Sequence, residues 1–99
     1  MGSDLKAKLA ELFVRDTGKR LEELRDAVQR ADIPAVARLA HAIKGSAANL
    51  GARHLAQLCA DIETRAETAE FDVTSECLDG LQREFTRACA ALTASRNAS

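Results

Sequence analysis

Apolar residues spaced three and four positions apart recur along this chain, most regularly between Val36 and Leu50. At about 100° per residue, these residues fall within an arc of roughly 100° on a helix and form one stripe. The stripe consists of Val36, Leu39, Ala40, Ile43, Ala47 and Leu50. No segment shows the strand-like alternation of apolar and polar residues between turn signals. The pattern therefore predicts an all-α protein.

Four segments carry the helical pattern, at about residues 4–31, 32–50, 52–69 and 74–94. Residues 70–73 form the longest predicted connector, and residues 95–99 form a frayed tail. Short connections favour antiparallel neighbours. We therefore expect one domain over residues 1–99, folded as an up-and-down antiparallel four-helix bundle with a short leading N-terminal helix.

Local signals set the predicted helix ends. Asp16-Thr17-Gly18 interrupts the first segment and predicts a break that separates the short leading helix from a longer one. Asp32 is placed to cap the second helix, and Pro34 is tolerated in its first turn. Gly51 follows the last apolar residue of that helix, where a left-handed glycine commonly ends it.

Composition excludes several classes of protein. A formal net charge of −1 over 99 residues gives no sign of the excess positive charge that binds nucleic acid or a membrane. No apolar run approaches the roughly 20 residues of a membrane span. The three cysteines are odd in number and widely spaced, which is typical of reduced, buried thiols in a cytosolic protein and not of a metal site.

One histidine lies on the opposite side of the second predicted helix from its apolar stripe. By the same count, His41 points roughly 140° away from the centre of the stripe. Ala37, Lys44, Gly45 and Ala48 lie within about 60° of it. An exposed imidazole and an ammonium on a surface of small residues indicate a site that carries a phosphoryl group and presents it to another protein.

A longer motif surrounds this histidine. His41-Ala42-Ile43-Lys44-Gly45-Ser46 is followed by Gly51 and then by Leu58-Cys59 and Ile62-Glu63 on the next helix. The whole chain resembles the histidine-containing phosphotransfer (HPt) domains of bacterial two-component phosphorelays, which are four-helix bundles of about this length. The resemblance extends to the Ile33-Pro34 helix start and to Phe85 in the closing helix.

The resemblance implies a phosphorelay intermediate. A response-regulator receiver domain would donate a phosphoryl group from its aspartate to His41, and a second receiver would take it. Such a domain has no ATP site of its own, and the chain contains no phosphate-binding glycine loop. The Lys44 ammonium would steady the phosphoryl oxygens, and the receiver would supply Mg²⁺. We expect a cytoplasmic monomer that holds no metal or cofactor itself.

Further residues around His41 have two interpretations. Glu63 falls roughly 80° from the centre of the apolar stripe of its helix, at the edge of the core. It either orients the imidazole, as a Gln or Glu often does at the matching position of the family, or it is an ordinary solvated glutamate. Ala37, Arg38, Gly45, Ala48 and Arg53 are the expected partner-binding residues, although isolated arginines are commonly only solvated.

Three alternatives remain beside a free-standing phosphocarrier. The chain could be an HPt module excised from the C-terminal end of a hybrid sensor histidine kinase. It could be a histidine kinase dimerisation domain, but there the histidine is usually followed by a Glu and a Pro, whereas Ala42 follows His41 and Lys44-Gly45 replaces any proline kink. It could also be a helical bundle without phosphate chemistry.

Overall fold

Four α-helices make up the computed structural model, which describes residues 2–68 and 72–97. They are α1 (Gly2–Gln29), α2 (Ile33–Asn49), α3 (Arg53–Ala66) and α4 (Ser75–Asn97). Each helix packs against the next, and α1 also packs against α4, whereas the described residues bring neither α1 to α3 nor α2 to α4. This ring of neighbours is the up-and-down four-helix bundle that the sequence predicts.

The first and last helices, α1 and α4, are longer than α2 and α3, which form the hairpin between them. With 28 residues, α1 is about 42 Å long, whereas the 14 residues of α3 span only about 21 Å. Because α2 begins directly after α1, the N-terminal turns of α1 extend past the α2–α3 turn. The leucines on those turns are consequently exposed, with Leu5 at 63% and Leu9 at 46% of their full accessible surface.

The predicted break at Asp16-Thr17-Gly18 is wrong, because α1 runs through these residues without interruption. Thr17 is fully buried, and a Cβ added to Gly18 would lie 3.7 Å from the ring of Phe85 on α4. Phe85 also packs against Phe13, earlier on α1, with the two rings tilted and their centroids 5.9 Å apart. A glycine in a helix costs about 1 kcal/mol, yet α1 stays helical where Gly18 packs against α4. The leading segment is therefore the first part of α1 and not a separate helix.

The other helix ends lie close to their predicted positions. The Asp32 carboxylate accepts a hydrogen bond from the backbone N–H of Ala35, which confirms it as the N-cap of α2. Gly51 follows α2 with a φ of +75°, the left-handed conformation expected of it.

Two predicted ends differ from the structure by three residues. The helix α3 ends at Ala66, short of the predicted residue 69, and α4 continues to Asn97, beyond the predicted end at residue 94. The prediction of a frayed tail is therefore wrong for residues 95–97, which are helical. Residues 69–71, which include half of the predicted connector, and the last two residues of the predicted tail lie outside the described part of the chain.

The core is built from small aliphatic side chains of all four helices together with Val73. Its fully buried members are Leu24, Ala27, Val36, Ala40, Ile43, Ala47, Leu55, Cys59, Ile62, Ala66 and Leu81. The three cysteines form no disulfide with one another. Cys59 is buried as predicted, whereas Cys77 and Cys89 are only half-buried at the edge of the core.

Candidate functional site

The apolar stripe of α2 fixes the direction in which His41 points. Val36, Ala40, Ile43 and Ala47 are buried against the rest of the bundle. His41, on the opposite side of the same helix, leaves 71% of its side chain exposed. Since α2 is capped at Asp32 and packed along one face, the exposed imidazole stands on a rigid element rather than on a loop.

A carboxylate from the neighbouring helix reaches this imidazole. The Oε2 atom of Glu63 on α3 lies 3.3 Å from Nδ1 of His41. A carboxylate can only accept hydrogen bonds, so this contact places a proton on Nδ1. In the neutral ring, Nε2 is then the nitrogen without a proton, and it carries the lone pair that a nucleophile needs.

The second oxygen of the same carboxylate meets the lysine. The ammonium nitrogen of Lys44 lies 2.6 Å from Oε1 of Glu63, and that oxygen is buried. The Glu63 side chain is 19% exposed and the Lys44 side chain 35%, so the ion pair is partly withdrawn from water. It is consequently less screened than a pair on the open surface.

Electrostatics keep this carboxylate ionised. Burial alone would raise the pKa of Glu63, but the contacts of Lys44 and His41 with the carboxylate outweigh it, and the pKa lies below its usual value. The negative charge that faces His41 and Lys44 is therefore present throughout the neutral pH range.

A thiol lies beneath the charged group. Cys59 stands one helical turn before Glu63 on α3 and is fully buried. Burial, with a smaller contribution from the Glu63 carboxylate, raises the pKa of Cys59 to about 12, although the Lys44 ammonium acts in the opposite direction. The thiol consequently stays uncharged and forms part of the apolar floor below the site.

The residues predicted to bind a partner fall into two groups. Arg38, Gly45 and Ala48 are exposed on α2 beside His41, and Ala37 is half-buried there. A Cβ built on Gly45 would meet no atom within 4 Å, so nothing stands over the helix at this point. The structure thus brings these four residues together around His41 as one low surface.

Arg53 belongs to a different part of the bundle. It begins α3, and α2 ends at Asn49, which is about 12 Å beyond His41 along the helix axis. Together with His54 it lines a groove at the α2–α3 turn, beside Phe13 and Leu92. Any contact that Arg53 makes with a partner therefore lies at the end of the surface and not at its centre.

The ion pair between Lys44 and Glu63 was not predicted from the sequence. The sequence predicts a separate role for each residue, Lys44 as a phosphoryl ligand and Glu63 as an orienter of the imidazole. The available signal was their placement at the polar edges of two consecutive helices joined by a short turn, where opposite charges face each other. The structure shows that one carboxylate contacts both residues.

Two kinds of feature are absent from the described residues. No group of three or more His, Cys, Asp or Glu side chains in that part of the chain could hold a metal ion. None of its helices is both long and apolar enough to cross a membrane.

Comparison with known proteins agrees with this geometry. The sequence matches the model of the Hpt domain over residues 8–93. The structure resembles the crystal structure of histidine-containing phosphotransfer protein B (HptB) from Pseudomonas aeruginosa PAO1. The two are 29% identical, with a TM-score of 0.89 over all of this chain and 85% of that one. No curated protein matches the chain. The chain therefore belongs to the Hpt domain family, the phosphocarrier modules that exchange phosphoryl groups with receiver domains in phosphorelays.

Proposed function

We propose that His41 is the residue that carries the phosphoryl group in this domain, and that its Nε2 atom is the nucleophile. The observation that carries the proposal is the contact between Nδ1 of His41 and Oε2 of Glu63 at 3.3 Å, on an imidazole that is otherwise exposed. Holding one ring nitrogen as a donor leaves the other nitrogen free to attack.

In the transfer step, Nε2 attacks the phosphorus of an aspartyl phosphate on a receiver domain. The N–P bond forms as the O–P bond of the acyl phosphate breaks, and the aspartate leaves as a carboxylate. His41 keeps its proton on Nδ1, so the ring becomes positively charged. The Glu63 carboxylate stabilises this charge at short range, as a carboxylate does for other catalytic imidazoles. The reverse step passes the group to the aspartate of another receiver.

Phosphoryl transfer depends on positioning and on charge stabilisation. The Lys44 ammonium stands one turn from His41 and supplies positive charge near the phosphoryl oxygens. Mg²⁺ would come with the receiver, whose aspartates hold it. The domain would thus act without an ATP site, a metal or a cofactor of its own, as a monomer in the cytoplasm.

Docking requires the receiver to bring its aspartate to an imidazole that projects only a few ångströms from a helix. Ala37, Gly45 and Ala48 keep the surrounding surface low, and Arg38 adds positive charge at its edge. Arg53 would extend this surface toward the α2–α3 turn. A flat surface with a basic rim fits the acidic active-site face that we expect on a receiver.

The experiment is phosphorylation by a receiver domain that has itself been phosphorylated with acetyl phosphate and Mg²⁺. We expect intact mass to show one added phosphoryl group on the wild-type domain and on His54→Gln, and none on His41→Gln. Circular dichroism checks that both variants are folded. Peptide mapping that finds the label on His54, or on any residue other than His41, would refute the assignment.

A further inference from the structure

In the unphosphorylated domain, the carboxylate of Glu63 contacts two residues at once. Oε2 of Glu63 accepts the hydrogen bond from Nδ1 of His41, and Oε1 is paired with the Lys44 ammonium at 2.6 Å. The ammonium is therefore held on the Glu63 side of the site, where it neutralises a carboxylate. It is not free to stabilise a phosphoryl group on Nε2 unless it gives up part of this contact.

We propose that Lys44 changes partner when His41 is phosphorylated: Glu63 holds the ammonium in the free domain, and the phosphoryl group takes it in the phosphorylated one. This inference rests on the proposed phosphorylation of His41. It adds that Glu63 is a positioning residue for Lys44 as well as for the imidazole.

The charges before and after transfer favour this exchange. The free domain holds one positive charge on Lys44 and one negative charge on Glu63. Phosphorylation adds a group with about two negative charges near neutral pH, and it leaves the ring of His41 positive. With Lys44 on the phosphoryl oxygens and Glu63 on the ring, each charge again lies beside an opposite one.

Breaking the ion pair between Lys44 and Glu63 costs free energy, and this cost limits how far the exchange favours the phosphorylated state. Oε1 is buried, and within the described residues it has no hydrogen-bond partner apart from the ion pair with Lys44. The thiol of Cys59 below it is uncharged and provides no replacement cation. A buried carboxylate oxygen that loses its partner is unfavourable. The phosphorylated state therefore gains less from Lys44 than an unpaired lysine would provide, which keeps the phosphoryl group easy to pass on.

The effect of Lys44→Ala on phosphorylation should then depend on whether Glu63 is present, and it should be larger when Glu63 is replaced. Lys44→Ala removes both the ion pair of the free domain and the phosphoryl contact, so the two losses partly cancel. In a Glu63→Gln background there is no ion pair to lose, and Lys44→Ala removes only the phosphoryl contact. The amide oxygen of Gln still accepts from Nδ1 of His41, so the imidazole stays oriented.

The test is a double-mutant cycle with phosphoramidate as the phosphoryl donor, which makes a receiver unnecessary. Wild type, Lys44→Ala, Glu63→Gln and the double variant are brought to equilibrium at fixed phosphoramidate and ammonia concentrations. Intact mass then gives the ratio of phosphorylated to free protein. We expect Lys44→Ala to lower this ratio about twofold beside Glu63 and about tenfold in the Glu63→Gln background, in line with the strength of charge-assisted contacts. Lys19→Ala, at an exposed position on α1, is the matched control and should leave the ratio unchanged.

The free domain supplies a second readout. Urea unfolding should show that Lys44→Ala lowers stability when Glu63 is present and has little effect in the Glu63→Gln background. If Lys44→Ala lowers the ratio of phosphorylated to free protein by the same factor in both backgrounds, while the phosphoryl group maps to His41, the exchange is overturned and the proposed function stands. Phosphorylation that maps to another residue would overturn both.

Discussion

Glu63 on α3 contacts His41 on α2 through one carboxylate oxygen and Lys44 through the other, at 3.3 Å and 2.6 Å. The two contacts join the polar edges of neighbouring helices directly above the buried Cys59 and Ile62. The geometry of the site therefore depends on how α2 packs against α3 and not on either helix alone.

The charge on Glu63 should make part of the stability depend on pH. Its pKa is lower in the folded protein than its usual value of 4.5, so the carboxylate stabilises the fold above that pH. The contribution is lost as the pH falls through the lower, folded value. We expect Glu63→Gln to reduce the free energy of unfolding at pH 7 and to differ less from wild type at pH 3, as measured by urea unfolding. Glu22→Gln on the exposed face of α1 is the reference for the loss of one surface carboxylate. A difference that stays constant between the two pH values would contradict this assignment.

Gly45 should matter for docking and not for folding. A Cβ at this position meets no atom within 4 Å, so Gly45→Ala should raise the unfolding free energy by up to about 1 kcal/mol. The longer side chain of Gly45→Gln should slow transfer from a phosphorylated receiver at least several-fold with little change in thermal midpoint, because it stands beside His41. Gly80→Gln on α4 is the matched control and should not change the transfer rate. Equal rates for Gly, Ala and Gln at position 45 would mean that the receiver does not approach this part of α2.

Cys59 should be the least reactive thiol in the native protein. It is buried and its pKa is raised to about 12, so almost no thiolate is present at pH 8. Cys77 and Cys89 are half-buried and should react first with Ellman's reagent, whereas Cys59 should react only after unfolding in guanidinium chloride. Peptide mapping identifies the modified residues, and Cys59→Ala should leave the fast phase unaltered. A fast native reaction at Cys59 would show that the floor of the site opens readily.

The hydroxyl of Thr17 should be dispensable. Its Oγ1 atom is buried, and it has no hydrogen-bond partner among the residues that the structure describes. Thr17→Val keeps the shape and removes an unsatisfied polar atom, so we expect the unfolding free energy to rise by about 1 kcal/mol. Thr64→Val is the matched control, since the Thr64 hydroxyl is exposed and donates to the carbonyl of Ala60. A loss of stability in Thr17→Val would show that the hydroxyl has a partner, such as a buried water.

Much of this architecture could be predicted because it follows from local chemistry. The spacing of Val36, Ile43 and Ala47 alone places one face of α2 in the core and His41 on the other. Capping by Asp32 and the left-handed turn at Gly51 depend on residues within a few positions of each other, so the sequence was sufficient to place the ends of α2.

The continuity of α1 could not be predicted in the same way. Asp16, Thr17 and Gly18 have weak helix propensity, and the local signal correctly reports that weakness. The ring of Phe85, far away in the sequence, packs against α1 at Gly18, and the helix is continuous there. Tertiary packing commonly overrides weak local helix propensity.

By itself, the sequence determined the fold class, the helix that carries His41 and the face on which that histidine lies, because each depends on periodicity within one segment. Only the tertiary structure decided that Glu63 contacts both His41 and Lys44, and that Arg53 lies away from them at the end of the bundle. The physical reason is that the sequence gives the angular position of a residue around its own helix axis. It does not specify how the next helix is rotated and shifted relative to the first. Those two quantities come from the packing of the whole core, and they set the distances between charges on different helices.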